Sequence, residues 1–146
     1  MSAFTNPLIL ILLEDAKGNP ILRGDRVQWT LNRQLIFDVG GEFSGESIRV
    51  PPAFVTDLAS VPFPFRAWLP PDGPWVKAAV VHDALYATQG TCEFGGYRYR
   101  DRLKPYSRKE ADDILLEAMR VLGVPEDKAL QIYAGVRVGG KAGWGS

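Results

Sequence analysis

The sequence holds one cysteine and one histidine among its 146 residues. A lone Cys92 excludes an internal disulfide and any metal site built from several thiolates. A lone His82 argues against chemistry that draws on several imidazoles. Neither sign of charge prevails: Lys plus Arg and Asp plus Glu each number 17, and the net charge is 0. No net field therefore recruits nucleic acid. Long apolar runs are missing too. Leu8 to Leu13 would span about 20 Å as a strand, too little to cross a bilayer, so no transmembrane segment is expected. No Lys or Arg precedes this run, and Glu14 and Asp15 follow it, which is not the pattern of a secretory signal peptide.

Proline and glycine, in contrast, are frequent, at 11 and 15 residues. Hydrophobic residues make up 46% and charged residues 23%, which places the chain among ordinary globular proteins. Its length suits one domain over residues 1–146.

The pattern predicts an α+β fold: a small antiparallel sheet in the N-terminal half, then three helices. Residues 5–57 read as β-rich. Lys17-Gly18-Asn19-Pro20 marks a turn. Val27, Trp29 and Leu31 alternate with polar residues, as do Leu35, Phe37 and Val39. With Asn32-Arg33 between them, residues 26–39 read as a hairpin. Ile48 and Val50 form a further strand, and Phe54-Val55 extend the chain before Thr56-Asp57. Residues 58–73 read as a proline-rich loop, with Pro62, Pro64, Pro70 and Pro71 set among Phe63, Phe65 and Trp68. Such a loop either packs onto the core or carries a site.

Residues 74–138 read as helical. Pro74 suits a first helical position, and Trp75, Ala78, Ala79, His82 and Tyr86 share one face. Ser107-Arg108-Lys109-Glu110 is a capping box that opens a helix ending at Gly123. Pro125 opens a third helix with Ala129, Ile132, Tyr133 and Val136 in one stripe. Gly95-Gly96 signals a tight hairpin between the first two helices. It would place Arg98, Arg100 and Arg102 on one solvated face, or on a face that attracts an acidic partner. Residues 139–146 read as a flexible tail that Trp144 could anchor.

His82 faces inward or into a cleft, and Asp83 points about 100° round the helix. Asp112 shares its face with Leu115, Leu116 and Met119, whereas Asp113 lies among charged residues. A carboxylate on an apolar face needs a partner. A histidine on a neighbouring helix supplies one, and the pairing fixes the tautomer so that the other ring nitrogen can act as a base. Three roles remain open for these residues: a hydrogen-bonded pair that fastens two helices, a catalytic dyad, or a metal site using His82, Asp83 and Asp57. Thr56, Asp57 and Ser60 are equally compatible with a turn and cap device. No glycine-flanked turn presents Ser60 as a nucleophile.

His82-Asp83-Ala84-Leu85-Tyr86, followed by Pro105-Tyr106 and Ala111-Asp112, resembles the active-site helix pair of secreted and parvoviral phospholipases A2. The resemblance runs from Pro74 to Met119. It implies that His82 activates water, Asp112 orients His82, Tyr86 hydrogen-bonds Asp112 and Asp83 binds calcium. Zinc is the second choice of divalent ion. The glycine-rich calcium loop of that family has no evident counterpart here. A second, longer resemblance joins Phe54-Val55-Thr56-Asp57-Leu58-Ala59-Ser60-Val61-Pro62, the same His82 to Tyr86 segment, and Arg108-Lys109-Glu110-Ala111-Asp112. Together they look like a family of short phage and prophage proteins known only as a domain of unknown function. That resemblance implies a viral or prophage origin and a place in the host cytoplasm or the virion. It singles out Asp57 as a further possible metal ligand. The two functions to separate are a metal-assisted hydrolase of phospholipid esters and a non-enzymatic virion or tail component that contacts other virion proteins.

Overall fold

The computed structural model describes residues 2–24, 26–41, 44–58 and 75–145. Most of the expected proline-rich loop, with Ser60 and the expected helix start at Pro74, lies outside the described residues. The architecture is α+β, with short antiparallel strands in the N-terminal half and three helices in the C-terminal half.

Eight strands come first: Ala3–Phe4 (β1), Leu10–Leu12 (β2), Leu22–Arg23 (β3), Arg26–Val27 (β4), Trp29–Leu31 (β5), Leu35–Asp38 (β6), Ser47–Val50 (β7) and Val55–Thr56 (β8). The order β1-β6-β7 forms one sheet and β2-β5-β8 another, while β3 and β4 pair with each other. The turn expected at Lys17 to Pro20 forms. The Asp15 carboxylate accepts from the backbone N–H groups of Lys17 at 2.8 Å and Asn19 at 3.0 Å.

The hairpin expected over residues 26–39 does not form. The alternating strands are present as β5 and β6, but they enter different sheets. β5 pairs with β2 and β8, and β6 pairs with β1 and β7. Each therefore has both edges occupied by strands from elsewhere in the chain. Alternation reports which face of a strand is buried and carries no information about its neighbour.

The sheet β1-β6-β7 supplies the floor of the core. Leu35 lies opposite Val50 and Phe37 opposite Ile48, and all four are fully buried. Helix α1, Val76–Ala87, packs against β7 on one side and against α2, Arg108–Val121, on another. Every residue from Ala78 to Tyr86 is buried except Asp83, which is half-buried. A helix apolar on nearly all sides belongs in the middle of the protein, so α1 is the axis on which the rest is assembled.

The capping box of α2 forms as its sequence predicts. The Ser107 hydroxyl accepts from Glu110 N–H at 3.1 Å, and the Glu110 carboxylate accepts from Ser107 N–H at 3.0 Å. Gly123, at φ +82°, follows the helix. Helix α3, Glu126–Gly139, presents Ala129, Ile132 and Val136 to the core. Between α1 and α2, Glu93–Phe94 (β9) and Tyr97–Arg98 (β10) form the expected hairpin. Gly95 and Gly96 both have positive φ, as its tight turn requires. After Val138 the chain continues into a 3₁₀ helix, Gly140–Gly143. Trp144 then packs edge-on against Tyr86, with ring centroids 5.0 Å apart. Gly145 N–H donates to the Tyr86 carbonyl at 2.7 Å.

Gly90 joins the chain leaving α1 to the chain entering α2. Its N–H donates to Leu85 O at 2.8 Å, and its carbonyl accepts from Tyr106 N–H at 2.9 Å. A Cβ at this position would lie 1.8 Å from the Tyr106 oxygen, and φ is +80°. Only glycine permits so close an approach of two backbones.

Candidate functional site

His82 and Tyr86 stand one turn apart on α1, facing α2. Asp112 faces them from the second turn of α2. His82 Nε2 lies 2.8 Å from Asp112 Oδ1, and the Tyr86 hydroxyl donates to the same oxygen at 2.6 Å. The other carboxylate oxygen, Oδ2, accepts from Arg137 Nη1 of α3 at 2.7 Å. Arg108, one turn before Asp112, brings its Nη1 to 3.5 Å from Oδ2. The same guanidinium donates to the carbonyls of Val136 and Arg137 near the end of α3. Three hydrogen-bond donors from α1 and α3, with the Arg108 guanidinium of α2 close by, thus converge on one fully buried carboxylate.

These contacts decide the protonation states. Burial would raise the Asp112 pKa, but bonds from His82, Tyr86 and Arg137 outweigh it and hold the carboxyl below its ordinary value of 3.8. Burial pulls His82 below its ordinary value of 6.5, against the opposing attraction of Asp112. Burial, followed by the bond to Asp112, pushes Tyr86 up to about 12. At neutral pH Asp112 is an anion, while His82 and Tyr86 are neutral. The anion accepts, so the imidazole proton sits on Nε2 and a lone pair remains on Nδ1. Nδ1 is buried and has no hydrogen-bond partner among the described residues.

His82 and Tyr86 contribute to the wall of a cleft of about 730 Å³. The same cleft is lined by Asp57 and Asp83, by Arg23 and Arg26, and by glycines of the 3₁₀ segment. Asp83 accepts a hydrogen bond from the Thr56 hydroxyl, which ties α1 to β8. Thr56 in turn accepts from Leu58 N–H at 3.0 Å. The structure therefore brings His82, Tyr86 and Asp112 into direct contact and places Asp83 and Asp57 on the same cavity.

Two carboxylates are a small part of the six to eight oxygens that a calcium ion takes. Among the described residues, no group of three or more His, Cys, Asp or Glu side chains is assembled for a metal. With His82 Nε2 engaged by Asp112, the remaining acidic donors are oxygens, a set suited to calcium before zinc.

Arg108 and Arg137 were not singled out from the sequence as site residues. Arg108 carried a usable signal, because it precedes the inward Asp112 by four positions on one helix. Arg137 carried none, since it lies next to the apolar stripe of α3 and reaches Asp112 only through the packing of α3 on α2. The expected arginine face on the hairpin is also different. Arg98 is exposed, but Arg100 is buried at 5% exposure, donating to the carbonyls of Thr91 and Leu103. Arg102 forms a two-pronged pair with Glu110 and lies over the Tyr106 ring. These side chains hold the α1–α2 connection in place. Cys92 belongs to the core, and burial pushes its thiol up to about 11.

The sequence profile of a family described as a protein of unknown function, DUF1353, matches residues 29–136. The chain belongs to that family. No curated protein and no solved structure matches it.

Proposed function

We propose that this DUF1353 member is a phage- or prophage-encoded hydrolase in which His82 is the general base. Its substrate class is a phospholipid ester, as implied by the likeness of the α1–α2 pair to that of phospholipases A2. One observation carries the reading: His82 holds its Nε2 proton against Asp112 and leaves the Nδ1 lone pair without a partner among the described residues. A buried polar atom without a partner is costly, and a reacting water would satisfy it.

In the proposed reaction, Nδ1 takes a proton from water as the water oxygen bonds to the ester carbonyl carbon. The carbonyl electron pair moves to oxygen. When the tetrahedral intermediate collapses, the carbon–oxygen bond to the leaving alcohol breaks, and His82 returns the proton to that oxygen. Asp112 stabilises the imidazolium formed in between, and Tyr86 and Arg137 hold Asp112 in position. A base placed in this way contributes about 10²–10⁴-fold. A divalent cation, calcium before zinc, would be held by Asp83 and Asp57 and would lend positive charge to the developing oxyanion. His82 is only 1% exposed, so water reaches Nδ1 only when the cleft wall beside it yields.

That burial also favours a second reading, in which the network is a structural lock in a virion or tail component. Asp112 gathers side chains from α1, α2 and α3, which is what such a lock requires. Release of fatty acid from phosphatidylglycerol and phosphatidylcholine vesicles, with calcium, with zinc and with EDTA, separates the two. The hydrolase reading expects release by the native chain and its loss in His82→Gln with the fold intact by circular dichroism. If the native chain cleaves no ester under any of these conditions, the hydrolase reading fails and the structural lock remains.

A further inference from the structure

We infer that Arg23 and Arg26 form an anion clamp at the mouth of the cleft, and that the group it takes is a phosphate. The inference deepens the hydrolase reading by assigning a recognition site on its substrate, but it stands on separate residues.

β3 and β4 pair antiparallel, and Gly24, which follows β3, has φ +66°. The register places Arg23 directly opposite Arg26 and Leu22 directly opposite Val27. Directly opposed side chains share one face of an antiparallel pair, and neighbours along the strand alternate. The hairpin therefore has a face of two guanidinium groups and a face of two aliphatic side chains. Both arginines line the cleft that holds His82. Gln28, two residues beyond Arg26, lines it as well, so β4 and its extension turn the arginine face inward.

Neither guanidinium makes a hydrogen bond or an ion pair with any described residue. Arg33 and Arg98 are simply exposed to solvent, whereas Arg100, Arg102, Arg108 and Arg137 all donate to protein oxygens. Like charges placed directly opposite each other on paired strands destabilise the pairing. An anion between them removes that repulsion and accepts from both. Guanidinium groups match the oxygens of a phosphate in pairs, and two of them opposed on paired strands present several donors to one group.

The other charged groups on the cavity set the orientation. Asp57 and Asp83 lie on the same cleft and repel an anion from their part of it. The phosphate is therefore held at the hairpin, and the rest of the ligand extends toward His82. Phe54 and Val136 are apolar lining residues available to that remainder. A phosphodiester headgroup with an apolar tail suits this arrangement, and so does a small soluble phosphate compound. The shared chemistry is the phosphate.

The test uses the full chain carrying His82→Gln, so that turnover plays no part in the readout. Inorganic phosphate is titrated by calorimetry, and vesicles of phosphatidylglycerol or of phosphatidylcholine are tested by co-sedimentation. Phosphate is expected to bind, and Arg23→Gln with Arg26→Gln to weaken it by about tenfold or more. Arg98→Gln, on the exposed hairpin, is expected to leave binding unchanged. Rising salt should weaken binding at the arginine pair.

Loss of both phosphate and phosphatidylglycerol binding in the double variant supports the clamp with a lipid headgroup as its ligand. Loss of phosphate binding alone, with vesicles never bound, supports the clamp with a soluble phosphate compound instead. No phosphate binding, or binding indifferent to both substitutions in a chain with native circular dichroism, overturns it. A native chain without esterase activity would leave these outcomes unchanged, so failure of the hydrolase reading is told apart from failure of the clamp.

Discussion

Arg137 and His82 share no hydrogen bond, yet they are coupled through opposite oxygens of one carboxylate. His82 approaches Asp112 Oδ1 at 2.8 Å, and Arg137 holds Oδ2 at 2.7 Å. Asp112→Asn puts an amide where donors from α1 and α3 converge and removes the charge that balances the arginines beside it. Breaking a buried ionic contact from one side costs about 3–5 kcal/mol. Arg137→Gln removes a partner whose side chain is 30% exposed. Solvent replaces part of what is lost, and the expected cost is about 1 kcal/mol. Urea unfolding of both variants measures the difference, and the asparagine variant should be much the less stable.

Acid should weaken the fold in two stages. The His82 pKa is lowered from 6.5 by burial, so the unfolded chain takes up that proton at higher pH than the folded chain does. Stability from this group is complete above 6.5 and is lost as pH falls toward the lower folded value. The Asp112 pKa is lowered from 3.8, so its contribution is complete above 3.8 and is lost below it. Melting temperatures between about pH 4.5 and 8 should fall on the acid side in the native chain. His82→Gln should flatten that slope and leave the lower stage in place.

Gly90→Ala tests how the two helices are held together. The added carbon would meet the Tyr106 carbonyl at 1.8 Å, and the backbone would remain at φ +80°. Relief requires the hydrogen-bonded Gly90 and Tyr106 backbones to separate. A loss of about 3 kcal/mol or more is expected. Gly123→Ala is the comparison, because φ is similar there and nothing lies within 4 Å of the added carbon. It should cost about 1 kcal/mol. Equal losses in thermal melts would show that the contact with Tyr106 does not matter.

The cation site proposed at Asp83 and Asp57 predicts that calcium raises the melting temperature of the native chain by mass action on the folded state. Asp83→Asn and Asp57→Asn together should abolish the shift. Zinc should give a smaller shift, because oxygen donors favour the harder ion. A calcium shift retained in the double variant would place the ion elsewhere.

Parts of this arrangement can be read directly from the chain. The capping box at Ser107 and the Gly95-Gly96 turn are local chemistry, and the structure shows both. The inward direction of Asp112 followed from its apolar companions, and its pairing with His82 followed from the cost of burying a charge alone. Strand pairing was not legible. β5 and β6 are adjacent in sequence and chemically alike, but β5 takes β2 and β8 as partners, and β6 takes β1 and the next strand, β7. Arg100 shows a further limit. Alternation placed it on a solvated face with Arg98, whereas the carbonyls of Thr91 and Leu103 draw it into the protein. Arg137 belongs to the same class, since its role depends on how one helix lies across another.

Because α1, α2 and α3 all anchor in the Asp112 carboxylate, they are not independent in their opening. A fluctuation that lifts any one of them strands donors on the others, so partial unzipping brings little relief. Deuterium uptake at the amides around His82, Asp112 and Val136 should accordingly proceed at one common slow pace. The frayed ends of each helix, beyond the reach of that single carboxylate, should exchange on their own clocks.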